Sequence, residues 1–185
     1  MTDSMSRTSR LRLLLVLLVS LVGCDQASKQ YAVTHWKNQP KQSYFRDLFR
    51  IEYAENKGAF LGLFDTLQPT ARYAILVIGN AIGMAVLVGY LLCVSPMSRW
   101  NYIAWALIFA GGIGNLIDRI RINAVIDFLN LGIGPVRTGI FNVADMAITA
   151  GFFMLFPQIL RSPPTDPEPP AAPGQPSTTE PGTPA

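Results

Sequence analysis

Histidine is almost missing from this chain and cysteine is scarce: there is one His and there are two Cys in 185 residues. His35 has no His or Cys beside it, so no metal site is expected. For the same reason neither a Ser–His nor a Cys–His couple is on hand for nucleophilic catalysis. Charge is thin as well, at 15% of residues with a net value of +3, where ordinary soluble proteins carry about 25%. No block of like charges and no basic stretch interleaved with aromatics occurs, which speaks against a nucleic-acid partner. No internal repeat is visible either, so the paired halves of a secondary transporter are lacking.

What the chain has in quantity is apolar residues, half of the total, and they cluster. A helix needs about 20 of them in a row to cross a bilayer. Four stretches qualify, at about 12–33, 73–94, 101–118 and 140–160. The expected fold is an α-helical polytopic membrane protein with four transmembrane helices and both termini on one side. Segments 35–72 and 119–139 then share the opposite side. Residues 44–53 alternate in part and are rich in aromatics, and 125–129 reads as a strand, so a small extramembrane β element is predicted on the membrane surface. Antiparallel spans put Cys24 and Cys93 toward opposite faces, too far apart to bridge. Residues 1–161 form one membrane domain, and the proline-rich tail 162–185 cannot bury a core and is expected to be disordered.

Orientation by charge pulls two ways. More basic residues lie in the segments opposite the termini, but Arg7, Arg10 and Arg12 flank the first helix, whose charges usually dominate. Cytoplasmic termini are therefore favoured. The same N-terminus resembles a secretory signal, and Leu21-Val22-Gly23-Cys24 resembles the lipobox at which bacterial lipoproteins are lipidated and cut. Three further spans, and the polar run Asp25 to Lys29 that would lose its helix, weigh against cleavage there.

Polar residues inside the apolar stretches carry the chemistry. Asp127 interrupts Val125-Ile126-Asp127-Phe128-Leu129, and Asp145 follows Phe141-Asn142-Val143-Ala144. An ionisable group costs about 2.5–3.5 kcal/mol at the centre of a membrane helix, so such groups usually serve a site. Each aspartate alone also reads as a surface carboxylate, Asp145 at the positive end of a helix dipole. Asp25 and Lys29 are four apart and can pair on one helical face, a structural ion pair on the plainest reading. Asn56-Lys57-Gly58-Ala59-Phe60 reads as a turn, or as an amide offered to a peptide backbone. Gly111, Gly112 and Gly114 allow close helix approach. Asn115, Asp118 and Arg119 follow at helical spacing, and Asp118 beside Arg119 suits a local ion pair.

Taken in order, the segments Asp25–Lys29, Asn56–Phe60, Gly111–Ile120, Val125–Phe128 and Phe141–Asp145 resemble the motif series of the lipoprotein signal peptidases, also called signal peptidase II. The resemblance covers roughly residues 11–160. It implies a membrane aspartyl endopeptidase of the bacterial inner membrane, with its site toward the outer face and no cofactor. Asp127 and Asp145 would be the catalytic pair, with one aspartate taking a proton from water and the other polarising the scissile carbonyl. Asn56, Gly58, Asn115, Arg119 and Asn142 would bind substrate, while Asp25, Lys29 and Asp118 shape the site. The implied substrate is a diacylglyceryl-modified prolipoprotein, concentrated beside the site by membrane lipids and cut just before its lipidated cysteine. The implied inhibitor is globomycin. Set against this are a protease of unlipidated membrane peptides, a proton-coupled transporter, and a lipoprotein matured at Cys24.

Overall fold

A computed structural model of the protein describes residues 5–58, 67–94 and 97–159. The expected tail 162–185, the end of the 140–160 span, and Ala59 and Phe60 lie outside the described residues. Helix α1 is Arg7–His35, α2 is Pro69–Cys93, α3 is Arg99–Ile122 and α4 is Val143–Ile159. Three of these are long and apolar enough to cross a membrane, and α4 is apolar but shorter.

The first three helices begin earlier than hydropathy alone indicates, because capping residues set their ends, whereas α4 begins at Val143, three residues after the expected 140. Ser6 accepts from Ser9 N and starts α1 at residue 7 rather than 12. Pro69 suits a first helical turn, so α2 begins four residues ahead of the expected 73. Its second turn, Ala74–Gly79, is wound as a π-helix. Ser98 caps α3, and Asn123 closes it with a left-handed φ of 56°. Asp118 and Arg119 therefore lie within α3 and do not end it. Cys24 lies inside the unbroken α1, exposed, as is Cys93.

Burial is inverted relative to a water-soluble protein. Large apolar side chains such as Leu15, Val19, Ile82, Val86 and Phe153 are exposed, while Arg10, Asp25, Lys29, Asn115, Asp118, Asp127 and Asn142 are buried. This is the pattern expected where lipid replaces water outside and polar groups must find partners within. Helix α3 is central and packs on the other three helices, most extensively on α4. At one end of the bundle Arg10 donates to Leu91 O and Val94 O at 2.5 and 2.7 Å and so caps α2. The Tyr102 hydroxyl donates to Arg10 O at 2.8 Å and fastens α3 to the same point.

At the other end lies one antiparallel sheet with strands in chain order: β1 Gln42–Tyr44, β2 Phe49–Asn56, β3 Val125–Ile133 and β4 Val136–Arg137. The expected β element thus combines both extramembrane segments. Ala54 pairs with Asp127 and Asn56 with Val125, after an irregularity between Ile51 and Ala54. After β4 the chain returns to β3, where Phe141 exchanges backbone hydrogen bonds with Leu129 at 2.8 and 2.9 Å. That return delivers Asn142 to the side of Asp127.

Candidate active site

Helix α4 starts with a reciprocal cap. Asp145 N donates to Asn142 Oδ1 at 2.9 Å, and Asn142 N donates to Asp145 Oδ2 at 3.2 Å. This is a capping box built from Asn and Asp, and it satisfies backbone donors that a helix start leaves free. The second carboxylate comes from β3. Asn142 Nδ2 donates to Asp127 Oδ1 at 2.7 Å, and Asn56 Nδ2, across the β2–β3 pair, donates to Asp127 Oδ2 at 3.0 Å. Asn115 Nδ2, from α3, donates to Asp145 Oδ1 at 2.8 Å. Each carboxylate therefore receives one N–H on each oxygen, and Asn142 touches both residues.

Asp127 is buried, whereas Asp145 is partly open. Burial is the main reason that the Asp127 carboxyl is pushed up to about 7, and the negative charge of Asp145 adds to it. The amide donors of Asn56 and Asn142 pull the other way without cancelling the rise. A carboxyl raised toward neutrality beside a second carboxylate suits general acid–base chemistry.

Beneath this pair lies a buried ionic layer. The Lys29 ammonium sits 2.8 Å from Asp25 Oδ2 and 2.9 Å from Asp118 Oδ2, and it donates to Asn115 Oδ1 at 3.0 Å. Its three donors are thus all used. The two aspartates pass this support outward. Asp25 Oδ1 accepts from Ala144 N at 2.9 Å, and Asp118 Oδ2 accepts from Ile126 N at 3.2 Å. Each therefore grips the backbone one residue before Asp145 or Asp127. Gly114 leaves the necessary room, since a Cβ there would lie 2.7 Å from Asp25 Oδ2.

The expected Asp25–Lys29 pair is present. The expected local pairing of Asp118 with Arg119 is not: Asp118 pairs with Lys29. Adjacent residues on a helix point about 100° apart, so Arg119 faces elsewhere. Its Nη1 and Nη2 make long bonds to Asn115 O and Gly58 O, at 3.4 and 3.3 Å, and its buried Nε has no hydrogen-bond partner among the described residues. Gly58 N donates to Asn56 Oδ1 at 3.1 Å, which folds the 56–58 turn against Asp127. Thus all ten residues singled out in the sequence lie in one connected cluster.

Gln26 was not foreseen. Its Nε2 lies within hydrogen-bond reach of Asp118 Oδ1 (3.0 Å), Gly114 O and Asp25 Oδ2 (both 3.2 Å), so it bridges the two supporting carboxylates. The only signal was its place in the polar run beside Asp25. A cavity of about 360 Å³ opens on the other face of β3, lined in part by Gln26, Lys37, Tyr53, Glu55, Arg121 and Ile126, and neither Asp127 nor Asp145 lines it.

Comparison with known proteins gives the family. Residues 17–161 match the family described as Signal peptidase (SPase) II. The chain is 35% identical over 145 residues to the lipoprotein signal peptidases of Streptococcus pyogenes serotype M5 (strain Manfredo) and serotype M1, covering 78% of this chain and 90% of each relative. Two solved structures of bacterial membrane enzymes share its fold. One aligns with a TM-score of 0.70 at 22% identity over 88% of this chain and 99% of the other. The second aligns with a TM-score of 0.69 at 24% identity, covering 86% and 92%. By the breadth of the family match and the identity to these relatives, the chain belongs to the signal peptidase II family.

Proposed function

We propose that this protein is a membrane aspartyl endopeptidase that removes signal peptides from diacylglyceryl-modified prolipoproteins, cutting just before the lipidated cysteine. The family membership supports a protease acting on lipoprotein signal peptides. The observation that carries the aspartyl chemistry is Asn142, which donates to Asp127 through its side chain and to Asp145 through its backbone. Two carboxyls held in one hydrogen-bond net, with Asp127 raised to about 7, suit the sharing of a proton.

In this mechanism the water oxygen attacks the scissile carbonyl carbon. Its proton passes to Asp145, while the Asp127 proton goes to the carbonyl oxygen and gives a gem-diol. Asp145 then protonates the leaving nitrogen as the C–N bond breaks, and the diol returns a proton to Asp127. The products are a signal peptide with a new C-terminal carboxylate and a lipoprotein with a free cysteine amine.

Substrate is positioned by Asn56, Gly58, Asn115, Arg119 and Asn142. Arg119 suits a clamp on a substrate carbonyl, because its present bonds are long and Nε is unpartnered among the described residues. Asn56 plays a second part by orienting Asp127. Asp25, Lys29 and Asp118 hold the frame. The apolar helices and the family make this a multi-pass membrane protein. We place four spans in the bacterial inner membrane, with cytoplasmic termini and the dyad at the outer face. Lipid partitioning, worth about 0.8 kcal/mol per buried CH₂, concentrates the diacylglyceryl substrate there. Globomycin is the expected inhibitor, and no cofactor takes part.

The deciding experiment is cleavage of a purified prolipoprotein, with and without prior diacylglyceryl transfer, by the parent, Asp127→Asn and Asp145→Asn. Near-complete loss in both variants, at parental membrane levels, is expected. Full activity in either variant would refute the mechanism, and equal cleavage of the unlipidated precursor would refute the substrate.

A further inference from the structure

The three most exposed large apolar residues among those described are not on the helices. They are Phe45 (80%), Ile133 (78%) and Val136 (77%), all at one end of the sheet, with Leu48 and Leu131 exposed beside them. Phe45 and Leu48 belong to the β1–β2 turn, and Ile133 and Val136 to the β3–β4 hairpin. The two hairpin ends are tied together: Gly132 N donates to Leu48 O at 3.0 Å, and Arg137 Nη1 donates to Asp47 O at 2.7 Å. Phe45, Arg46 and Asp47 all hold left-handed backbone, at φ of 51, 53 and 71°. Such conformations are unfavourable for side chains other than Gly, so the surrounding bonds must fix the turn. Ser43 and Arg50 do this by donating to Asp47 Oδ1 at 2.7 and 2.6 Å.

The placement of β3 indicates what this end meets. Val125 follows three residues after α3 ends at Ile122, and Leu129 is bridged to Phe141, next to the Asn142 cap of α4. The strand therefore runs across the helix ends, from α3 to α4. Its last four residues, about 13 Å at strand rise, extend beyond α4. Side chains two apart share a sheet face, so Leu131 and Ile133 continue the face that carries Asp127. Helix α4 itself exposes Phe152 and Phe153, a surface suited to lipid. Charge at this end is mostly positive, with Arg46, Arg50 and Arg137 against Asp47, which suits anionic headgroups.

We propose that the joined hairpin ends form a lipid-entering wedge, in which Phe45, Leu48, Ile133 and Val136 insert into the leaflet beside α4 and fix the height of β3 over the bilayer. Exposed apolar patches of this kind are otherwise a liability, and apolar side chains of surface elements enter about 5–10 Å below the headgroups. Arg46, next to Phe45, can extend its charged end to the phosphates while its stem stays in the apolar layer.

The wedge rests on membrane placement of the helices and is independent of the aspartate chemistry. The test uses the full chain with Cys24→Ser and Cys93→Ser, carrying one further cysteine at a time: Phe45→Cys, Ile133→Cys, Val136→Cys, or Gln39→Cys as a control. Each is labelled with an environment-sensitive fluorophore in phosphatidylethanolamine–phosphatidylglycerol bilayers containing lipids with a nitroxide high on the acyl chain. Emission at 45, 133 and 136 should fall by about half or more, with no change at 39. Positions 45 and 133 lie on different hairpins, so one misfolded variant leaves the other to decide. Quenching at all sites by aqueous iodide and not by the nitroxide lipids would overturn the wedge. So would shielding that varies with protein-to-lipid ratio, which would mean a second copy covers this end. Either outcome with prolipoprotein cleavage intact would leave the proposed function standing.

Discussion

Asp25, in the C-terminal half of α1, holds the backbone N–H of Ala144 in the first turn of α4 at 2.9 Å. The bond joins helices whose contacting residues lie 119 positions apart in sequence. It depends on Lys29, which compensates the buried charges of Asp25 and Asp118 together.

Removing Lys29 should therefore unfold the frame before it touches the chemistry. Breaking a buried ion pair from one side costs about 3–5 kcal/mol, because the remaining charge is left unpaired. Lys29→Met leaves two buried carboxylates without a cation and should accumulate poorly in membranes. Thermal unfolding in detergent would measure the loss. An unchanged midpoint would mean that Lys29 is dispensable to the frame.

Gly114 gives a sharper probe of the same layer. A methyl group there meets Asp25 Oδ2 at 2.7 Å and Ala144 Cβ at 3.2 Å, whereas at Gly23 it meets nothing within 4 Å. Gly114→Ala should lower stability by about 1–3 kcal/mol through overpacking, with activity falling as α4 shifts from α1. Gly23→Ala, also helical, should be neutral or slightly stabilising. Side-by-side melting of the two variants distinguishes local crowding from a general effect of adding a methyl group.

Asn115 orients Asp145 by elimination. Its Oδ1 accepts from Lys29 and from Asn142 Nδ2, which leaves Nδ2 to donate to Asp145. Asn115→Asp keeps the shape and the Lys29 contact but cannot donate. Hydrogen bonds to charged groups are worth about 1.5–3 kcal/mol. If the bond matters most in the transition state, kcat should fall roughly 10- to 100-fold. Steady-state kinetics with a membrane level matched to the parent would test this, and parental kcat would remove Asn115 from the machinery.

The raised Asp127 carboxyl makes both stability and activity depend on pH. Its ordinary value is 3.8 and its value in the fold is about 7, so the folded state binds the proton more tightly than the unfolded state. That contribution is fully present below about 4 and is lost as pH rises through about 7. Relative to the parent, Asp127→Asn should thus gain stability between pH 5 and pH 8, on the order of a few kcal/mol before solvent relaxation. If the protonated pair is the active form, parental kcat/KM should fall on the alkaline side of neutrality. Melting curves and rate profiles across that range would check both.

The frame and the site were legible in the sequence to different degrees, and for physical reasons. The helices were legible because lipid demands long apolar runs, and Asp25–Lys29 because the helical period places those residues on one face. Two members of the candidate site were legible because Asp127 and Asp145 interrupt apolar stretches, while its substrate-binding members came from the resemblance of the motif series. Partner choice was not. Asp118 next to Arg119 looked like an ion pair, yet its partner is Lys29, 89 residues earlier. The role of Gln26 and the Phe141–Leu129 bridge depend on how α1, α3 and β3 meet, and no local pattern encodes that. Helix starts moved because Ser6 and Pro69 outweigh hydropathy at the ends.

The capping box at Asn142 and Asp145 belongs to the last of the described helices. During synthesis, Asp25, Asn56, Asn115 and Asp127 are all made before their final partners exist. Under the proposed aspartate chemistry, a nascent copy still lacking residues 142–145 cannot hydrolyse its neighbours, and competence arrives only with that segment. The order of translation itself acts as a safety catch.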